Sequence, residues 1–226
     1  MGIASRRTPE GALAGFSLST RVAVFIDWQN CFRSAQDAFG PGTNGNVNPL
    51  ALARHLAADR APGQPPGQLV HVDVHSGVPS QQHDSKSFAA RMAQHAAWSG
   101  LDACLTVFPR SLAYRFKQGL VIPQEKGIDV ALAVGMVRRS LIDGSCDVTI
   151  LVSADTDLLP ALDLIAVSKG ATSIEVAAWA GPFRAPQPLA LQGHQIRQHR
   201  LDQNLYRAIE DTTDYTLSRR QRRHRP

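Results

Sequence analysis

From Arg21 onward the chain alternates short, wholly apolar runs with longer stretches of helical period. Val22, Ala23, Val24, Phe25 and Ile26 form an unbroken apolar run that stops at Asp27, the pattern of a strand buried on both faces of a parallel sheet. A helix is predicted through Phe32 to Phe39. Gly40 to Asn48 is rich in turn residues, and Asn48 followed by Pro49 then starts a second helix carrying Leu50, Leu52 and Leu56. Leu69–Ser76 reads as a strand, Gln82–Trp98 as a helix with Phe88, Met92, His95 and Trp98 at helical spacing, and Leu101–Phe108 as a third strand. Pro109 to Gln124 is read as irregular. A further apolar helix runs from Ile128 to about Leu141, Val148–Val152 is a fourth strand, Leu158–Val167 a helix closed by Gly170, and Ile174–Trp179 a fifth strand. Gly181 to Gln192 is proline-rich and looped, with a closing element over Leu201–Glu210. Repeated strand-helix units require right-handed crossovers, so the expected fold is α/β: a Rossmann-like three-layer α/β/α sandwich around a mainly parallel central sheet.

Composition sets the bounds of that picture. With 226 residues, 43% hydrophobic and 19% charged, the chain supports one domain with a substantial core. We expect a flexible lead-in over 1–19, the domain over 20–210, and a basic tail over 211–226. The formal charge of +5 sits at the end of that tail: Ser218 to Pro226 carries Arg219, Arg220, Arg222, Arg223 and Arg225, five cations without an acid, and the remainder balances at 19 against 19. No apolar run reaches the roughly 18–20 residues of a membrane span, and the first residues lack a hydrophobic signal core, so a soluble cytoplasmic protein is expected. Arg6 stands where a myristoylation signal needs Ser or Thr. Cys31, Cys104 and Cys146 are too far apart for a Cys-x-x-Cys site and are expected as reduced, packed thiols.

The chemistry lies in the carboxylates. Asp27 ends the first strand, Asp129 opens the helix after Gly127, and Asp155 and Asp157 follow the fourth strand. Ligands of open α/β sheets bind beyond the carboxyl ends of the strands, where all four would gather. Gathered carboxylates repel unless protonated or neutralised, and a hard divalent cation such as Mg²⁺ or Mn²⁺ removes the conflict. Taken singly, each Asp also reads as a turn former or helix cap. Asp27 resists that reading best, because Trp28, Gln29 and Asn30 form no capping box.

Three blocks, Val24-Phe25-Ile26-Asp27-Trp28-Gln29-Asn30, Lys126 to Val134 containing Gly127, Ile128 and Asp129, and Val152 to Leu158 containing Ser153, Asp155 and Asp157, resemble in order and spacing the signature blocks of NYN domains of the PIN-like nuclease superfamily. The resemblance covers about residues 20–180. It implies a PIN-like sandwich and metal-dependent hydrolysis of RNA phosphodiester bonds, an endonucleolytic ribonuclease using Mg²⁺ or Mn²⁺. It assigns Asp27, Asp129, Asp155 and Asp157 to the metal-binding and catalytic acids, and Asn30 and Ser153 to the polar residues beside them, Asn30 in the catalytic set and Ser153 toward the substrate. Two positions depart from the pattern: Gly135 stands where many members carry a further Asp, and Ala154 where glycine is common.

Substrate grip is expected from Arg110, Arg115, Lys117 and Lys126, which with Tyr114 combine four cations and a ring suited to single-stranded RNA. A homo-oligomer or a regulatory protein partner is also compatible, whereas a membrane partner is not expected. The competing reading is a catalytically weak NYN-fold module that binds RNA or protein, which Gly135 favours. A phosphatase using Asp155-x-Asp157 would need that pair after the first strand rather than the fourth, and no Gly-x-Gly-x-x-Gly follows any strand.

Overall fold

A computed structural model describes residues 19–118, 120–185 and 189–217. The lead-in up to residue 18 and the arginine cluster of the tail lie outside the described residues. The strands are β1 (Thr20–Asp27), β2 (Gly67–Val78), β3 (Leu105–Ser111), β4 (Ala113–Lys117), β5 (Leu120–Gln124), β6 (Val148–Val152), β7 (Ile174–Trp179) and β8 (Arg197–Leu201). The α-helices are α1 (Trp28–Phe39), α2 (Pro49–Ala58), α3 (Ser85–Ser99), α4 (Ile128–Val137), α5 (Leu159–Lys169) and α6 (Gln203–Ile209).

Six strands form one sheet in the order β3-β2-β1-β6-β7-β8, and every neighbouring pair is parallel. The apolar run of β1 explains the layering, because alternate residues feed opposite cores. Val22, Val24 and Ile26 pack with residues of α1, α2 and α6, whereas Ala23 and Phe25 pack with α4 and α5. The protein is therefore an α/β/α sandwich. Strand order runs outward both ways from β1 and β6, so the crevice beyond their carboxyl ends is the topological switch point.

Local signals hold where they were clearest. Asn48 Oδ1 accepts from the amides of Leu50 and Ala51 at 3.0 Å each, with Pro49 leading α2. Gly170 ends α5 with φ of 89°. The three cysteines are free, and burial pushes the Cys31 thiol up to about 12.

Two stretches correct the sequence reading. Pro109–Gln124 is not irregular: β3 continues to Ser111, and β4 and β5 form an antiparallel hairpin outside the main sheet. Its alternating Tyr-Arg-Phe-Lys pattern was masked by Pro109 and Pro123, yet Pro123 is tolerated on a two-stranded ribbon with no further neighbour to hydrogen-bond. The sheet also has a sixth strand, β8. Its sequence Arg-Gln-His-Arg-Leu reads as polar, but buried His199 meets Glu175 Oε2 at 2.6 Å and Asp59 Oδ2 at 2.8 Å, which satisfies it inside the fold.

The loop after β7 is fixed to α1. A side chain at Gly181 would bring its Cβ within 2.0 Å of the Ala38 carbonyl, so only glycine permits that approach. The Phe183 amide donates to the same carbonyl at 3.1 Å, Trp179 Nε1 donates to Cys31 O at 3.0 Å, and Arg184 pairs with Asp37. This contact makes the loop a wall of the crevice.

Candidate metal centre

Asp27 is placed by two elements at once. It caps α1, its Oδ1 accepting from the Asn30 amide at 3.1 Å, while its Oδ2 accepts from Ser153 Oγ at 3.1 Å. The capping role therefore exists even without a capping box. Ser153 also accepts from the Asp155 amide at 3.1 Å, so one hydroxyl ties the end of β1 to the chain leaving β6. Asn30 Oδ1 accepts from the Ala154 amide at 3.1 Å, a second tie between the same segments. Asp155 caps the short 3₁₀ turn Thr156–Leu158 through the Asp157 amide at 2.9 Å. Asp129 lies in the first turn of α4, entered through Gly127 at φ of 73°, a left-handed conformation suited to glycine. Arg110 donates to the Gly127 carbonyl and so braces that turn.

These segments bring one oxygen each of Asp27, Asp129 and Asp155 within 4.8 Å of one another. Asp157 is exposed and outside that group; the Asp129 carboxyl is raised by burial first, and then by the charges of Asp155 and Asp157. Asp27 is only 4% exposed. Burial pushes its carboxyl up to about 6, assisted by the charges of Asp129 and Asp155 and opposed by the Asn30 and Ser153 hydrogen bonds. Glu125, at the crevice edge, rises to about 7 through partial burial and the charges of Asp27 and Asp129, while Arg33 and Arg91 pull it down. A donor set of converging carboxylate oxygens, of which Asp27 and Asp129 ionise reluctantly because they are buried and face other acids, fits a hard divalent cation.

The three acids line a cleft of about 340 Å³ with Glu125, Asn30, Arg33, Ser34, Asp37, Trp179 and Arg184. Ser153 is buried behind Asp27 and is not among the lining residues. Nor are the expected cations: Lys126 is exposed next to Gly127, Arg115 and Lys117 stand on β4, and Arg110 is engaged with Gly127. Among the described residues Arg33 and Arg184 are the arginines in the cleft, and the sequence reading overlooked both. A signal for Arg33 was present. Asn30, Arg33, Ser34 and Asp37 recur at helical spacing opposite buried Trp28, Cys31, Ala35 and Ala38, a polar stripe that continues from Asp27. Arg184 is brought in by the Gly181 contact, which has no sequence pattern.

Gly135 faces elsewhere. A Cβ there would lie 3.6 Å from His75 Nε2 and 3.8 Å from the Phe25 ring. His75 is buried, stacks on Phe108 at 4.7 Å, has no partner for Nε2 among the described residues, and is held down to about 4 by burial. Gly135→Asp should therefore place a carboxylate beside that imidazole and raise its pKa clearly above 4. An NMR titration of His75 checks this; an unmoved value would mean that the new carboxylate points away.

An α/β/α sandwich with acids converging at its switch point defines a PIN-like nuclease fold. The chain belongs to the NYN domain family, which matches residues 21–192 and is a domain of the PIN-like nuclease superfamily. No curated protein matches the chain. Among solved structures, a protein of unknown function from Vibrio parahaemolyticus is similar at 14% identity, over 72% of this chain and 82% of that one, with a TM-score of 0.42. Among the described residues no helix is long and apolar enough to cross a membrane.

Proposed function

We propose that the protein is a divalent-cation-dependent endoribonuclease whose catalytic domain spans about residues 20–210. The observation that carries this reading is the approach of Asp27, Asp129 and Asp155, from three separate chain segments, to within 4.8 Å in a cleft that also holds arginines. NYN domains are generally nucleic-acid-binding, which supports RNA as the ligand.

Asp27, Asp129 and Asp155 would hold Mg²⁺ or Mn²⁺, with Asp157 acting from outside the group. The cation would supply Lewis-acid activation of water and neutralise charge developing on the phosphoryl oxygens. The chain's own residues do the positioning. Ser153 fixes the Asp27 carboxylate, and Asn30 locks the loop bearing Asp155 while lining the cleft, where its amide can donate to a phosphate oxygen. Arg33 and Arg184 offer guanidinium donors to the phosphates on either side of the scissile bond. Lys126, Lys117, Arg110 and Arg115 extend positive charge away from the cleft along the path of a polyanion. Asp37 holds Arg184 through an ion pair, so its guanidinium is orientated before substrate arrives.

The binding-module reading rests on Gly135, but that position looks toward His75 and Phe25. Labelled single-stranded RNA should be cut internally in the presence of Mn²⁺ or Mg²⁺, and a chelator should stop the reaction reversibly. RNA that is bound but uncut at every cation concentration would sink the nuclease reading.

A further inference from the structure

The hairpin of β4 and β5 projects from the sheet and leads within four residues into α4 and Asp129. Its pairing sets Tyr114 opposite Pro123 and Phe116 opposite Val121, which puts these four on one face; Arg115 and Lys117 share the other with Ile122 and Leu120. The first face is a ladder of rings. His83, exposed before α3, lies 4.4 Å from Tyr114 and 6.1 Å from Phe116 between ring centroids. Tyr114 is fixed because its hydroxyl accepts from the Ser80 amide at 2.7 Å. Phe116, next along the strand on that face, is 74% exposed. The arm thus presents an ordered aromatic surface whose outermost ring is open.

We propose that this ladder, with Phe116 at its end, is a stacking platform for unpaired bases of the nucleic acid whose backbone enters the cleft. The inference rests on the nuclease reading and adds a second binding site to it. Charge selects the occupant: residues 110–126 carry Arg110, Arg115, Lys117 and Lys126 against Glu125 alone, which attracts a polyanion and puts cations on the opposite face of the same thin ribbon. Bases of a duplex present only their edges, so rings on a protruding arm can stack only on bases that are splayed out. Phe116 lies roughly 13 Å along the arm from Glu125, at about 3.3 Å per strand residue. The RNA is therefore unpaired not only at the bond that is cut but also some nucleotides away, where the arm holds it.

Fluorescence anisotropy on the full chain with chelator present, so that nothing is cut, tests this with a labelled single-stranded RNA of roughly 12 nucleotides and its duplex. Phe116→Ala should weaken single-strand binding about tenfold or more, Phe116→Leu should fail likewise because a methyl-bearing chain offers no π face, and Phe116→Trp should restore the affinity. Duplex binding should hardly change, and an unaltered melting temperature shows that the variants fold. Equal binding by the parent, Phe116→Ala and Phe116→Leu overturns the platform and leaves the face to a protein partner. Cleavage by the parent with Mn²⁺ is scored separately. If the parent cuts RNA while the Phe116 variants bind normally, only the platform falls; if single-strand binding depends on the ring but nothing is cut, only the nuclease reading falls.

Discussion

Asp155→Asn should lower cation-dependent RNA cleavage roughly 10³-fold while leaving the fold intact. The magnitude follows from what is removed, since loss of charge stabilisation at a cation-assisted site costs several kcal/mol, about 1.4 for each factor of ten. The substitution is clean because the structural duty of the side chain survives it. Asp155 Oδ1 accepts from the Asp157 amide, and an asparagine carbonyl oxygen caps as well as a carboxylate. Asp157→Asn makes the matching control: Asp157 is exposed and outside the 4.8 Å group, so its loss should cost far less. Rates on labelled RNA, with melting temperatures of both variants, check the pair. Equal cleavage by the parent and Asp155→Asn would remove the cluster from the chemistry.

The same residues show why part of this site was readable and part was not. A strand buried on both faces must be apolar throughout, so a carboxylate at its end is conspicuous, and Asp27 was legible from β1 alone. The position of Asp155 followed once β6 was recognised as another such strand, because parallel strands deliver their carboxyl ends to one edge. The polar stripe Asn30, Arg33, Ser34 and Asp37 was equally written in the helix period but needed the cleft to give it meaning. Arg184 depends on a backbone contact between Gly181 and Ala38, residues far apart in the chain, and no periodicity encodes that. β8 was hidden for another physical reason: Arg197 and His199 are paired within the fold, Arg197 with Asp59 at 2.9 Å and His199 with Glu175 at 2.6 Å, and pairing replaces the hydrophobicity by which strands are recognised. Arg115 and Lys117 were correctly seen as a basic segment, but only the hairpin shows that they and Phe116 look in opposite directions.

A second large effect is expected from Asp27→Asn, with opposite signs for stability and activity. The Asp27 carboxyl is pushed up to about 6 in the fold, against about 3.9 in an unfolded chain. Between those values the folded state binds more protons than the unfolded one, so this group's contribution to stability falls as pH rises from about 4 to about 6 and is flat above. The accumulated cost is about 3 kcal/mol at neutral pH without a cation. Asparagine keeps the cap, since its Oδ1 can accept from the Asn30 amide, and its amide can donate to Ser153 Oγ; the Ser153 hydroxyl proton then gives up its acceptor on residue 27, which offsets part of the gain from removing the charge. Chelated Asp27→Asn should be the more stable protein at pH 7.5, and its advantage should fade on acidification through pH 6 and vanish near pH 4. The comparison must be made between the two proteins. His75 and His95, both held down to about 4 by burial, oppose the trend by losing stability as pH falls below about 6.5, but they are common to both and cancel. Saturating Mn²⁺ should reverse the order at pH 7.5, because the parent gains more from binding the cation. Thermal melts at several pH values, with and without Mn²⁺, measure all of this. A chelated variant less stable than the parent at pH 7.5 would mean that the Asn30 and Ser153 hydrogen bonds outweigh the cost of burying the charge beside two other acids. The expected result places the strain at Asp27 itself: its buried carboxylate is held unfavourably charged at neutral pH, and a bound divalent cation would relieve that cost.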